Sequence, residues 1–201
     1  MAYMQFTPRN SITRLTVIGT LALGATGHAL AQGQADDATA TRAYVQIGHA
    51  TGVTRSATVG VTWPWPWPGS RHWEIGGGSV TGHWDAYVSH WRAPSASTAG
   101  AFEGLTQVGL VPVLRWRADQ GRAPWFVEGG IGVSLLDVRY QTPRKQFGTR
   151  FNFADHLGVG INFGAGRRHE VALNLQHISN ADIRKPNPGE NFVQLRYGLA
   201  F

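Results

Sequence analysis

Residues 150–163 read RFNFADHLGVGINF. Phe151, Phe153, Leu157, Val159, Ile161 and Phe163 take alternate places, with Asn152, Ala154, His156, Gly158, Gly160 and Asn162 between them. A period of two is that of a strand, whose successive side chains point to opposite faces. A helix would repeat its apolar positions every three or four residues. One face is therefore apolar with aromatics near its ends, broken only by Asp155, and the other is polar or glycine.

The pattern recurs along the chain. In 124–138, Trp125, Val127, Ile131, Val133 and Leu135 alternate with Glu128, Gly130, Gly132 and Ser134. In 191–201, Val193, Leu195, Tyr197, Leu199 and Phe201 alternate with Gln194, Arg196, Gly198 and Ala200. Eight such segments are expected, at 41–51, 55–63, 71–91, 104–117, 124–138, 150–163, 168–178 and 191–201. In a soluble sandwich the apolar faces would meet each other. In an outer-membrane barrel they face lipid, and the polar and small residues fill a narrow interior. The even strand number, the Trp and Tyr near strand ends and the aromatic Phe201 closing an alternating strand favour the barrel. Charged residues are only 15% of the chain, below the roughly 25% typical of soluble domains. No segment reaches the ~18 consecutive apolar residues of a helical span. The expected fold is all-β: an eight-stranded antiparallel transmembrane β-barrel of the bacterial outer membrane.

The N-terminus reads as an export signal. Arg9 and Arg14 precede the apolar run LTVIGTLALGA (15–25), and Ala29 and Ala31 form a small-x-small site. Residues 1–31 are expected to be a cleaved signal peptide and 32–201 a single barrel domain. Cleavage removes two of the 18 Lys and Arg, leaving 16 against 12 acids, a net charge of +4. So modest a basic excess suits an anionic lipid, and no nucleic-acid partner is expected. There is no cysteine, and the 8 histidines show no metal-ligand spacing, so neither metal nor other cofactor is expected. The oligomeric state stays open, a homodimer among the options.

WPWPWPG (63–69) cannot be a central strand, because alternating prolines cannot donate to a ladder. It reads as a connection whose tryptophans anchor at a membrane interface. With both termini periplasmic, this turn is periplasmic too. The first, third, fifth and seventh connections are then external.

In the seventh segment, Val171, Leu173 and Leu175 share parity with His177 and Ser179. The histidine and serine therefore point toward lipid, near the external end. A polar pair on such a wall is costly unless it does something. Positions i and i+2 of a strand are ~6.6 Å apart along the axis at ~3.3 Å per residue. A histidine can bridge that gap to a serine hydroxyl and take its proton as the oxygen attacks an acyl carbonyl. Two carboxylates compete to orient the imidazole. Glu190 ends the loop leading into the last segment. Asp155 follows from register: a turn centred near Gly166 makes opposed residue numbers total about 332, as those of Asp155 and His177 do. The residues alone leave the two even. A bare His-x-Ser at a strand end also occurs as an ordinary solvated loop edge.

HISNADIRKPNPGEN (177–191) resembles the signature of the outer-membrane lipid A 3-O-deacylase family, an H-x-S-N-A core followed by a loop with P-N and a Glu. The likeness extends to the signal peptide, the eight strands and the terminal aromatic. It implies a serine esterase that hydrolyses the ester-linked acyl chain at the 3 position of lipid A, in lipopolysaccharide of the outer membrane. By this resemblance Ser179 is the nucleophile, His177 the general base and Glu190 the orienting acid, with Asp155 as the alternative. Asn180 and the backbone N–H groups of Ala181 and Asp182 correspond to the oxyanion site. Arg184 and Lys185, in the external loop, are candidates for contact with lipid A phosphates. Two features depart from the family pattern: the His-to-Glu interval is one residue shorter, and Asp182 stands where a glycine is expected. The competing readings are a non-enzymatic adhesion or structural barrel and a hydrolase acting on phospholipid esters.

Overall fold

A computed structural model describes residues 40–51, 53–65 and 73–201. The expected signal peptide and most of the Trp-Pro connection lie outside the described residues. The strands are β1 (Arg42–Ala50), β2 (Arg55–Pro64), β3 (Trp73–Ile75), β4 (Gly78–Pro94), β5 (Phe102–Arg117), β6 (Trp125–Leu136), β7 (Phe151–Phe163), β8 (His169–Ser179) and β9 (Glu190–Ala200). They pair antiparallel in the order β2-β1-β9-β8-β7-β6-β5-β4, and β2 pairs with β4 to close an eight-stranded barrel. Closure leaves no unpaired edge among these eight, which is what lets strands cross a bilayer.

The ninth strand was not expected. The sequence reads 71–91 as one segment, but Gly76 (φ +59°) and Gly77 (φ +73°) fold it into a tight hairpin. Positive φ at both central residues is the geometry that a two-residue turn between twisted strands requires. β3 pairs only with β4 and takes no part in closure.

Alternation divides every strand between two environments. The outer wall carries Val45, Ile47, Val59, Ile131, Leu157 and Leu175, all well exposed, as a lipid-facing wall must be. Aromatic side chains gather at the end that carries the turns 76–77, 118–124 and 164–168. Trp116 meets Trp125 at 5.5 Å, Trp65 meets Trp84 at 6.3 Å, and His169 Nδ1 lies 2.8 Å from the Tyr197 hydroxyl.

The interior is filled rather than open. Arg115 binds Glu128 Oε2 through Nη2 at 2.7 Å and Glu170 Oε2 through Nη1 at 2.7 Å, and its guanidinium lies 3.6 Å over the Phe126 ring. Arg196 donates to Asp85 at 2.8 Å and to Gln46 at 3.0 Å, over the Tyr44 ring. Farther along, Gln194 donates to Gln176 at 2.8 Å. At the end that carries the 137–150 and 180–189 loops, Trp91, Tyr140, Phe147 and Phe192 form an aromatic plug with centroids 4.7–5.5 Å apart. Charges below and aromatics above close the lumen to anything as large as a lipid.

Removing one partner of a buried ion pair strands the other, at about 3–5 kcal/mol. Arg115→Met leaves Glu128 and Glu170 only their longer contacts with Arg196 at 3.9 Å and Arg42 at 3.7 Å. Denaturant unfolding in detergent or lipid is expected to show a loss of that size, whereas a conservative change on the outer wall such as Val59→Leu leaves stability near wild type.

Candidate active site

β8 alternates strictly. Glu170, Ala172, Asn174, Gln176 and Ile178 are buried in the lumen, and Leu173, Leu175, His177 and Ser179 are on the outer wall. The histidine and serine thus lie where their parity puts them, at the loop end of the strand. Across β7, Asp155 is the direct partner of His177, the register that the turn centre predicts. Across β9, the partner of His177 is Asn191, and Glu190 pairs with Ile178.

That difference of one residue decides the histidine's neighbour. His177 Nδ1 lies 2.6 Å from Asn191 Oδ1. With the amide oxygen toward the ring, an Nδ1–H donates to it and the Nε2 lone pair is left for another group. Ser179 lies two residues on, along the same wall, and forms no hydrogen bond with the ring in this structure. Catalytic hydrogen bonds often tighten only when substrate binds.

Gly189 holds the imidazole from behind. Its φ is +63°, and a Cβ there would lie 2.7 Å from His177 Cε1. Any other residue would be strained in backbone and would push the ring aside.

Glu190 is 1% exposed and faces the lumen, so the structure does not bring it to His177. Its Oε1 accepts from Lys145 Nζ at 2.8 Å and its Oε2 from the Tyr140 hydroxyl at 2.7 Å. Thr54 Oγ1 lies 2.9 Å from the same phenol. Burial above all raises the Tyr140 pKa, a hydrogen bond with Thr54 works against it, and the bond to Glu190 adds to it; the phenol stays a donor. Glu190 thereby ties the 137–150 loop to the mouth of the barrel. In this structure the expected orienting carboxylate is a lumen strut, because the period of two sends residues 190 and 191 to opposite faces. Asp155 is on the right wall, but no hydrogen bond joins it to His177.

The loop after Ser179 is built on Asn180, which is fully buried. Its side-chain amide donates to the Arg184 carbonyl at 2.7 Å and to Thr149 Oγ1 at 3.0 Å, and its own N–H donates to Asn187 Oδ1 at 2.9 Å. Both amide hydrogens are thus committed to holding the loop, not to an oxyanion. Gly148 N–H donates to the Pro186 carbonyl at 2.7 Å and couples this loop to its neighbour. Ala181 (φ 49°) and Asp182 (φ 59°) follow in the left-handed region, and their N–H groups donate to no acceptor among the described residues. Arg184 and Lys185 are exposed, and Lys185 lines an open cleft together with Arg144 and Lys145.

The strands also form a feature that sequence reading missed. An open groove of about 650 Å³ starts at His177 and crosses the outer wall over Asp155, Leu157, Ile131, Pro112 and Leu114 to Trp65. Its floor exists because Gly129, an outward position on β6, has no side chain. The β5–β6 ladder is also interrupted opposite Pro112, which has no N–H to give. Only the register, which sets these positions in one row, could have revealed it. Among the described residues no group of three or more His, Cys, Asp or Glu is arranged to hold a metal ion.

Similarities to known proteins bear on this site. A lipid A deacylase PagL of Bordetella bronchiseptica is 32% identical over 114 residues, covering 57% of this chain and 59% of that protein. Its counterpart from Pseudomonas aeruginosa is 29% identical over 127 residues, 63% of this chain and 69% of that one. The crystal structure of the outer membrane enzyme PagL superimposes with a TM-score of 0.65 at 25% identity, over 80% of this chain and 99% of that one. The sequence model of the family described as lipid A 3-O-deacylase (PagL) matches residues 55–200, and the chain belongs to that family.

Proposed function

We propose that this protein is an outer-membrane esterase that removes the acyl chain ester-linked at the 3 position of lipid A. The observation that carries the reading is the pair His177 and Ser179 on the lipid-facing wall of a barrel whose lumen is closed. A water-soluble substrate would call for an aqueous cleft. A nucleophile and base on a wall bathed in lipid suit an ester carried by a lipid. The loop end of β8 faces the outer leaflet, where lipid A resides, and the termini are periplasmic.

Chemistry proceeds in two halves. His177 Nε2 takes the Ser179 hydroxyl proton as Oγ bonds to the acyl carbonyl carbon. The developing oxyanion is met by the Ala181 and Asp182 N–H groups, which Asn180 fixes through the loop. The intermediate collapses, the carbonyl–O3 bond breaks, and the departing sugar oxygen takes the proton from the imidazolium. Water, deprotonated by His177, then attacks the acyl-enzyme, and the fatty acid leaves as Ser179 regains its proton.

The groove supplies a place for the acyl chain. From β8 to β5 it crosses three strand spacings of ~4.8 Å, roughly 14 Å, and the Trp65 ring extends it further, room for an acyl chain. Arg184, Lys185 and the neighbouring Arg144 are the cations offered to the sugar phosphates, where charge-assisted hydrogen bonds are strongest.

Mass spectrometry of lipid A incubated with detergent-purified protein tests the reading. Loss of one 3-linked hydroxyacyl chain is expected, reduced about 10³-fold or more by Ser179→Ala or His177→Asn in barrels that stay folded. Unaltered lipid A with wild-type protein would favour a binding role. Release of phospholipid acyl chains instead would move the substrate to phospholipids. A second prediction concerns the groove: Gly129→Phe fills its floor from outside the barrel. Displacing two methylenes at ~0.8 kcal/mol each is expected to lower kcat/KM about tenfold while stability is kept.

A further inference from the structure

We infer that Asn191, not a carboxylate, is the residue that positions His177 for catalysis, so that the site works as Ser179–His177–Asn191. This rests on the esterase reading above and specifies how that site is assembled.

Three observations carry it. The first is the contact itself: Asn191 Oδ1 is 2.6 Å from His177 Nδ1, within the range of a strong hydrogen bond. The second is register. Asn191 is the direct cross-strand partner of His177, and both are on the outer wall. The third is the cost of the alternative. Bringing Glu190 outward requires β9 to slip by one residue against β8, which flips every side chain of the strand. Arg196 would then leave Asp85 and Gln46, Gln194 would leave Gln176, and Val193 and Leu195 would enter the lumen in their place. Glu190 would also give up Lys145 and Tyr140. The lumen network therefore fixes the register that hands His177 an amide.

An amide can do half of what a carboxylate does. By accepting from Nδ1–H it sets the tautomer and aims Nε2 at Ser179, the geometric task of the third member of a triad. It adds no negative charge to stabilise the imidazolium. Asp155 faces the ring from β7 without a hydrogen bond to it, and the backbone of Gly189 closes the remaining side.

The test uses full-length protein in detergent with lipid A as substrate. Asn191→Ala is expected to lower kcat about 10- to 100-fold with little change in KM. Asn191→Asp is expected to recover activity relative to the alanine variant. It should also move the acidic limb of the pH profile to higher pH, because a carboxylate at Nδ1 favours the charged ring and the base form is then reached later. A merely structural role would leave that limb in place. Glu190→Gln is expected to cost stability through Lys145 and to leave the limb unmoved. Independently of turnover, ¹⁵N spectra of the His177 ring should show the Nδ1–H tautomer in wild type and its loss in Asn191→Ala. An Nε2–H tautomer in wild type, or wild-type kcat and pH profile in Asn191→Ala, would overturn the proposal. Absence of Ser179-dependent hydrolysis with the Nδ1–H tautomer intact would instead count against the esterase reading and uphold the positioning contact.

Discussion

Alternation in a closed ribbon is the constraint on which the molecule depends. In a barrel every strand residue belongs either to the lumen or to the wall, and a slip of one residue exchanges the two sets. The interior enforces one choice. Arg115, Glu128, Glu170, Arg196 and Asp85 find partners only if each is on its present parity. Stranding a buried charge is costly, so the polar core acts as a register lock for the surface. The outward positions of His177, Ser179 and Asn191 are thus held by residues that never touch substrate.

The same lock explains how the loops are held over the site. Glu190 and Tyr140 fasten the 137–150 loop to the mouth, while Asn180 with Thr149, and Gly148 with Pro186, join it to the 180–189 loop. The aromatic plug under them gives both loops an apolar footing. A serine on a strand end would otherwise sit beside a frayed connection. Here the residues that follow it are fixed by one buried asparagine, which orients backbone donors next to the nucleophile. Preorganisation of this kind is what makes an oxyanion site effective.

Much of this was legible in the sequence. The period of two is unmistakable in 150–163 and 191–201, because lipid on one side and a crowded lumen on the other leave little freedom of composition. A short turn about Gly166 was enough to place Asp155 opposite His177. Where reading failed, the reason was physical. The ten residues between Ser179 and Glu190 carry no periodicity, so the register of β9 against β8 could not be counted across them. Yet the parity of β9 was available: Gln194 and Arg196 are lumen residues, and residue 190 shares their face. The resemblance favoured Glu190 as the acid, and that parity, which turns it toward the lumen, was not applied to it. The Gly76–Gly77 hairpin was read as a continuous strand although the apolar parity switches across it, from Trp73 and Ile75 to Val80, Trp84 and Val88. Asn180 looked like an oxyanion donor because its engagement with Arg184 and Thr149 is a tertiary fact. The groove depends on Gly129 and Pro112 falling in one row across neighbouring strands, which no single segment discloses.

The outer-wall serine as nucleophile is the central claim, and covalent capture tests it most directly. A long-chain alkyl phosphonate with a good leaving group mimics the acylated intermediate and reacts only with an activated hydroxyl. After incubation with the detergent-embedded barrel, peptide mass spectrometry locates the adduct. The account predicts modification at Ser179, abolished when His177 is replaced by Asn. An unmodified Ser179, or an adduct that forms equally well without the imidazole, would contradict it.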